Sequence, residues 1–184
     1  MPIRDSNIAA CKYVKSKTTL PNLSFAQDTV LNLPNYGQFD GVFCCGLLYH
    51  LENPRAYLQM LGQLTTKALI LQTHFSLGDE YAPLGFRDNP YNLGEVTSHE
   101  GLLGRWYQEF TPGINDQVKD SMRWTSWENH RSFWPNKDQL LLALNEAGFN
   151  LVFEQFDDLM DDLPKNLGKS YYSGLRGSFV GIKV

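Results

Sequence analysis

Hydrophobic positions along the first half of the chain alternate between helical and strand spacing. Ser6 is placed to cap a helix running to about Lys17, with Ile8, Cys11 and Val14 or Tyr13 facing inward. After Leu20-Pro21-Asn22, the segment Leu23–Gln27 reads as a short strand. Gly41–Gly46 is a continuous apolar run bounded by turn residues, the pattern of a strand buried on both faces of a parallel sheet. Asn53-Pro54 marks a helix start, and Tyr57, Leu58, Leu61 and Leu64 follow at helical spacing. Ala68–His74 is the next buried-strand pattern. Apolar strands joined through amphipathic helices predict an open α/β sheet.

The pattern breaks between Ser76 and Pro135, a stretch rich in Gly, Pro and Asn that holds all four tryptophans, Trp106, Trp124, Trp127 and Trp134. A structureless loop of that length does not suit a compact domain. It reads as a folded insertion of short helices over one edge of the sheet. Regularity returns with Asn136 as a cap for Lys137–Ala147 and Gly148 as the residue that ends the helix. Asn150–Phe156 and Ser178–Val184 then read as two closing strands, with the acidic run Asp157–Asp162 between them, most simply a solvated loop.

Composition narrows the function classes. With 42% hydrophobic and 20% charged residues, the 184-residue chain has the balance of one globular domain. A formal net charge of -4 with interspersed signs argues against a broad nucleic-acid footprint. No apolar run approaches the roughly 20 residues of a membrane-spanning helix, and the N-terminus lacks a secretory pattern. The cysteines, Cys11, Cys44 and Cys45, are a poor disulfide framework and form no C-x-x-C pair. A reduced, cytoplasmic protein without a metal site is the expectation. Leu167-Gly168-Lys169-Ser170 lacks the earlier glycine and preceding strand of a phosphate loop, so that reading is rejected.

The order of elements resembles the class I S-adenosylmethionine (SAM)-dependent methyltransferase fold. Phe39–Leu51 looks like the family's fourth-strand segment, with Asn53-Pro54 opening the following helix. Gln27-Asp28-Thr29-Val30 looks like the end of its third strand, and Glu146-Ala147-Gly148-Phe149 resembles the helix end before its sixth. The resemblance implies a Rossmann-like three-layer α/β/α sandwich whose last strand is antiparallel, and SAM as cofactor. It implies that Asp28 accepts from the adenine amino group and that the Thr29 N–H meets a ring nitrogen. Cys45, Gly46 and Leu47 would line the cofactor, Gly46 because it lacks a side chain. Methyl transfer needs mainly alignment, and a base helps an oxygen or nitrogen acceptor; His50 and His74 are the candidates. His50 also has a bland reading, closing a helical turn, as Asp28 does in starting one.

The family's first strand and glycine-rich turn have no counterpart before Arg4-Asp5-Ser6-Asn7, and the ribose-binding acidic position falls on Pro2. The first βα unit is therefore expected to be missing and the chain N-terminally incomplete, binding SAM weakly or not at all by itself. The expected partners are a small-molecule or unidentified methyl acceptor, and a second copy of the chain over the open sheet edge. The rival function is a non-catalytic remnant or binding module on the same scaffold.

Overall fold

A computed structural model describes residues 5–78, 93–122, 125–155 and 175–184, which group into two compact units, 1–37 and 38–184. The acidic run, the rejected phosphate-loop segment and Trp124 lie outside the described residues.

The first unit holds helix α1 (Asp5–Ser16) and a 3₁₀ segment, Val30–Tyr36, capped by the Thr29 hydroxyl. Leu23–Gln27 is not a strand. Five residues with strand-like composition form a strand only where a neighbour completes the ladder, and no described strand lies beside them in a sheet.

The second unit is built on a four-stranded sheet. Its strands are β1 (Phe39–Cys45), β2 (Thr65–His74), and the late pair β6 (Leu151–Gln155) and β7 (Arg176–Ile182), in the order β1-β2-β7-β6. Helix α2 (Pro54–Leu64) connects β1 to β2, which pair in parallel with Val42 opposite Leu69 and Cys44 opposite Leu71. β7 runs antiparallel to both β2 and β6, as the resemblance implies. Helix α4 (Lys137–Glu146) precedes β6 and ends at Gly148, whose φ of +93° is the left-handed stop expected there.

Strand alternation decides what each face does. Cys44, Leu69, Leu71 and Phe179 point to one face and are buried with Tyr57, Leu58 and Leu61 of α2 and Leu140, Ala143 and Leu144 of α4. Residues between them surface on the other face. Phe43, Ile70, Val180 and Phe153 form a row across all four strands, and Phe43 is 73% exposed.

Inside the buried face the Cys44 thiol hydrogen-bonds the Tyr57 hydroxyl. Burial pushes the Cys44 thiol from its ordinary value of 9.0 up to about 11, and raises Tyr57 as well. A pKa raised on folding contributes stability that is whole below the unfolded value and is lost as pH rises through the folded one. Between about pH 9 and 11, Cys44 should therefore withdraw on the order of 2–3 kcal/mol, at about 1.4 kcal/mol per unit. Denaturant unfolding at pH 8 and pH 11 checks this. Cys44→Ala should be less stable than the parent at pH 8 and show the shallower loss by pH 11; parallel losses would contradict it.

The insertion departs from the expectation of short helices. Among the described residues it is mainly a three-stranded antiparallel sheet of β3 (Val96–His99), β4 (Leu102–Gln108) and β5 (Arg131–Pro135), with one short helix, α3 (Asp116–Ser121). Glu100 and Gly101, both at positive φ, make the two-residue turn that twists β3 onto β4. Scattered Gly and Pro hide such strands from a periodicity reading. This sheet also corrects two expected caps. The Asn53 side chain contacts the His99 ring nitrogen at 3.1 Å, and the first free N–H groups of α2, on Arg55 and Ala56, donate instead to the Glu100 carboxylate at 2.8 and 3.1 Å. The Asn136 side chain meets the Ser76 hydroxyl rather than capping α4.

Candidate functional site

The carboxyl ends of β1 and β2 lie side by side and gather most of the chemistry of the second unit. β1 stops at Cys45 because Gly46 adopts φ +69°, a left-handed conformation that side chains disfavour. The Gly46 N–H still donates to the Gln72 carbonyl at 3.1 Å, tying the turn to β2. Leu47 follows, and Leu48–His50 form a single 3₁₀ turn with Leu48 and His50 buried.

This turn places Tyr49 among aromatic rings. Its centroid lies 4.2 Å from His50 and 4.6 Å from His74, at the end of β2. His74 stacks on Trp134 at 4.6 Å with planes 11° apart, and Tyr107 lies near-parallel to Trp134 at 4.9 Å. The Trp134 indole N–H donates to the Tyr49 carbonyl at 2.8 Å, locking the turn after β1 to strand β5. His74 Nδ1 sits 3.1 Å from the Leu175 carbonyl and donates to it, leaving Nε2 as its other ring nitrogen. Arg176 lies over the Tyr49 ring at 5.9 Å and donates to the Gln72 side chain at 2.6 Å.

His50 has the most elaborate surroundings. Its Nδ1 lies 2.9 and 3.1 Å from the two carboxylate oxygens of Glu109. Glu109 also accepts from the Ser126 N–H and the Ser132 hydroxyl, each at 2.8 Å. The Asn129 amide donates to the His50 carbonyl at 2.9 Å. A carboxylate this buried is held only by such donors.

His50, His74, Cys45, Gly46 and Leu47 therefore converge on one end of the sheet, and the insertion, through Glu109 and Trp134, supplies two of their supports. Cys45 is half-buried with its thiol raised by burial, so it stands as a small wall residue rather than a nucleophile. Asp28 and Thr29 belong to the first unit. There the Asp28 carboxylate accepts from the Thr29 N–H, the Asn32 amide and the Tyr36 hydroxyl, each at 2.8 Å, and these bonds lower its pKa. The Thr29 N–H is committed to this local loop. Among the described residues no cluster of His, Cys, Asp and Glu could hold a metal ion, and no helix is long and apolar enough to cross a membrane.

Sequence reasoning missed Glu109. A carboxylate directly after the segment Leu102–Gln108 is the whole of its sequence signal, and no spacing connects it to His50.

Known structures share this fold. The N-terminal domain of EvdMO1 with SAH bound superposes with a TM-score of 0.67 at 20% identity, over 98% of this chain and 62% of that one. The chain has the class I methyltransferase fold. An O-methyltransferase family protein from Burkholderia thailandensis matches at a TM-score of 0.51 and 15% identity, over 96% of this chain and 40% of that one. By sequence, a tRNA U34 carboxymethyltransferase from Campylobacter lari is 26% identical over 132 residues, 70% of this chain. The chain spans 45% of that curated relative's length. No family model matches the sequence.

Proposed function

We propose that this chain is a SAM-dependent methyltransferase, with the cofactor lying against Cys45, Gly46 and Leu47 and an oxygen or nitrogen acceptor facing His50. The observation that supports it most is the meeting, at the carboxyl end of β1, of an open glycine turn and a buried carboxylate-backed histidine. The glycine fits a close-lying ligand. Among the described residues a Cβ on Gly46 would meet only the Tyr49 hydroxyl, at 3.7 Å, so the missing side chain leaves room beside the strand end. The two structural neighbours and the curated relative carry methyl- or carboxymethyl-transfer descriptions or bind SAH, which agrees with this reading.

When bound, SAM supplies an electrophilic methyl group on a sulfonium. The chain's own residues supply alignment and a proton acceptor. With Nδ1 turned to Glu109, His50 Nε2 would be the nitrogen placed to hold the proton given up by an acceptor O–H or N–H, while Cys45, Gly46 and Leu47 would hold the cofactor that supplies the methyl group. Tyr49, His74 and Trp134 form a rigid aromatic wall beside it, which limits both water and acceptor orientation. An acceptor hydroxyl is the class that gains most from such a base, because a neutral hydroxyl is a weak nucleophile.

Titration of the folded chain with S-adenosylhomocysteine tests the reading. Saturable binding with a submillimolar Kd is expected, weakened at least tenfold by Gly46→Val. A β-branched side chain at φ +69° costs about 1–2 kcal/mol before it fills the space beside the strand, and 1.4 kcal/mol is already tenfold. A folded chain that shows no saturable binding would favour the rival, a non-catalytic member of the fold.

A further inference from the structure

We propose that Glu109 is a positioning residue that fixes the tautomer of His50, so that the insertion, not the sheet, decides which nitrogen of that histidine is basic. The inference rests on the methyl-transfer reading only for the use made of His50; the tautomer itself follows from the hydrogen bonding.

Three donors converge on the two oxygens of Glu109. They are His50 Nδ1, the Ser126 N–H and the Ser132 hydroxyl, at 2.8–3.1 Å. The Ser126 N–H and the Ser132 hydroxyl bring a hydrogen to each of the two oxygens, which leaves the carboxylate to accept from its third neighbour as well. The Ser126 N–H has no alternative, and the imidazole must therefore carry a proton on Nδ1. In the neutral ring the bare nitrogen is then Nε2. The site is nearly dry, with 7% of the His50 side chain and 0% of the Glu109 side chain exposed, so water is a poor substitute for these partners.

The cradle is itself fixed from several directions. The Glu109 N–H donates to the His130 carbonyl at 2.9 Å. The Ser126 hydroxyl and the Asn129 side chain are 2.5 Å apart, and the same Asn129 amide donates to the carbonyls of His50 and Arg131, at 2.9 and 2.6 Å. Carboxylate, imidazole and the backbone of His50 are thus tied to one loop between β4 and β5. A hydrogen bond to a charged group contributes about 1.5–3 kcal/mol, enough to hold one tautomer in more than tenfold excess over the other.

Glu109→Gln is the discriminating variant because it keeps the shape and replaces one acceptor by a donor. If the new NH₂ faced Ser126, two donors would oppose each other in a buried site. The amide nitrogen therefore takes the Oε1 position, 2.9 Å from Nδ1 against 3.1 Å for the oxygen kept beside Ser126, so Nδ1 becomes the acceptor at the shorter approach and the proton moves to Nε2. Long-range ¹H–¹⁵N NMR of the whole chain, followed over a pH series until the ring nitrogens report a neutral imidazole, reads this directly. The parent should show His50 protonated on Nδ1, Glu109→Gln should show it mostly on Nε2, and Ser132→Ala, which leaves the dyad whole, should keep the parent form. Neutral His50 protonated on Nε2 in the parent, or an unmoved proton in Glu109→Gln, would overturn the proposal. Should Glu109→Gln fail to fold, the parent tautomer alone decides. S-adenosylhomocysteine binding does not enter this readout, so failure of the cofactor reading and failure of the positioning role are separately visible.

Discussion

Trp134→Ala is expected to lower stability by about 3–5 kcal/mol, the cost of removing a large buried aromatic side chain. Trp134 is 2% exposed and lies between His74 and Tyr107, with its indole N–H on the Tyr49 carbonyl. Truncation therefore opens a cavity, removes two near-parallel ring contacts and takes the indole donor away from the Tyr49 carbonyl in one step. For a chain of this size the thermal midpoint should fall by roughly 6–20 °C, at about 2–4 °C per kcal/mol. Trp134→Phe separates the contributions. It keeps a ring in the stack and loses the indole donor, so a fall of about 1–2 kcal/mol is expected. Calorimetric melting of both variants checks the order. A Trp134→Ala protein that melts within a degree or two of the parent would mean that the aromatic wall is not a packed unit. In that event the geometry around Tyr49 and His74 would have no rigid support.

Gly62→Val is expected to cost on the order of 3 kcal/mol, against the direction that helix propensity alone would give. Replacing a mid-helix glycine normally favours a helix by up to about 1 kcal/mol. At Gly62, however, α2 crosses the end of α4 so closely that an added Cβ would collide with the Ala147 carbonyl oxygen, and would lie 2.9 Å from the carbon of that carbonyl. The obstacle is backbone, which cannot rotate away as a flexible side chain can. Moreover, the Gly62 carbonyl accepts from Lys183 just beyond β7, so retreat of α2 strains a second attachment. Collision outweighs propensity. Urea unfolding measures the balance, and a variant at least as stable as the parent would show that the two helices are not in contact as described.

The parts of this fold that were legible in the sequence are those whose burial repeats. Gly41–Gly46 and Ala68–His74 announced strands because one face of each lies under helices, and Tyr57, Leu58 and Leu61 marked the helix above them. Burial on both faces does not hold, since β1 is an edge strand of the described sheet and Phe43 and Ile70 are exposed on the other face. Gly148 announced its helix end because the conformation there needs φ near +90°. What could not be read was set by partners distant in sequence. Leu23–Gln27 has strand composition but joins neither sheet of the described residues. Asn53 and Asn136 have capping chemistry, yet each gives its side chain to another residue, and the cap of α2 comes from Glu100. The site divides the same way. His50, His74 and Gly46 follow strand ends and could be placed by register. Glu109 lies 59 residues from His50, and only the antiparallel sheet of the insertion brings them together.

That the cofactor meets this chain at the carboxyl end of β1 is the central claim, and ¹⁵N NMR during titration with S-adenosylhomocysteine tests it most directly. Saturable shifts at the amides of Cys45, Gly46 and Leu47, with the reporters in α3 unmoved, are the expected result. Shifts absent from that turn, or scattered without saturation over the surface of a folded chain, would contradict it.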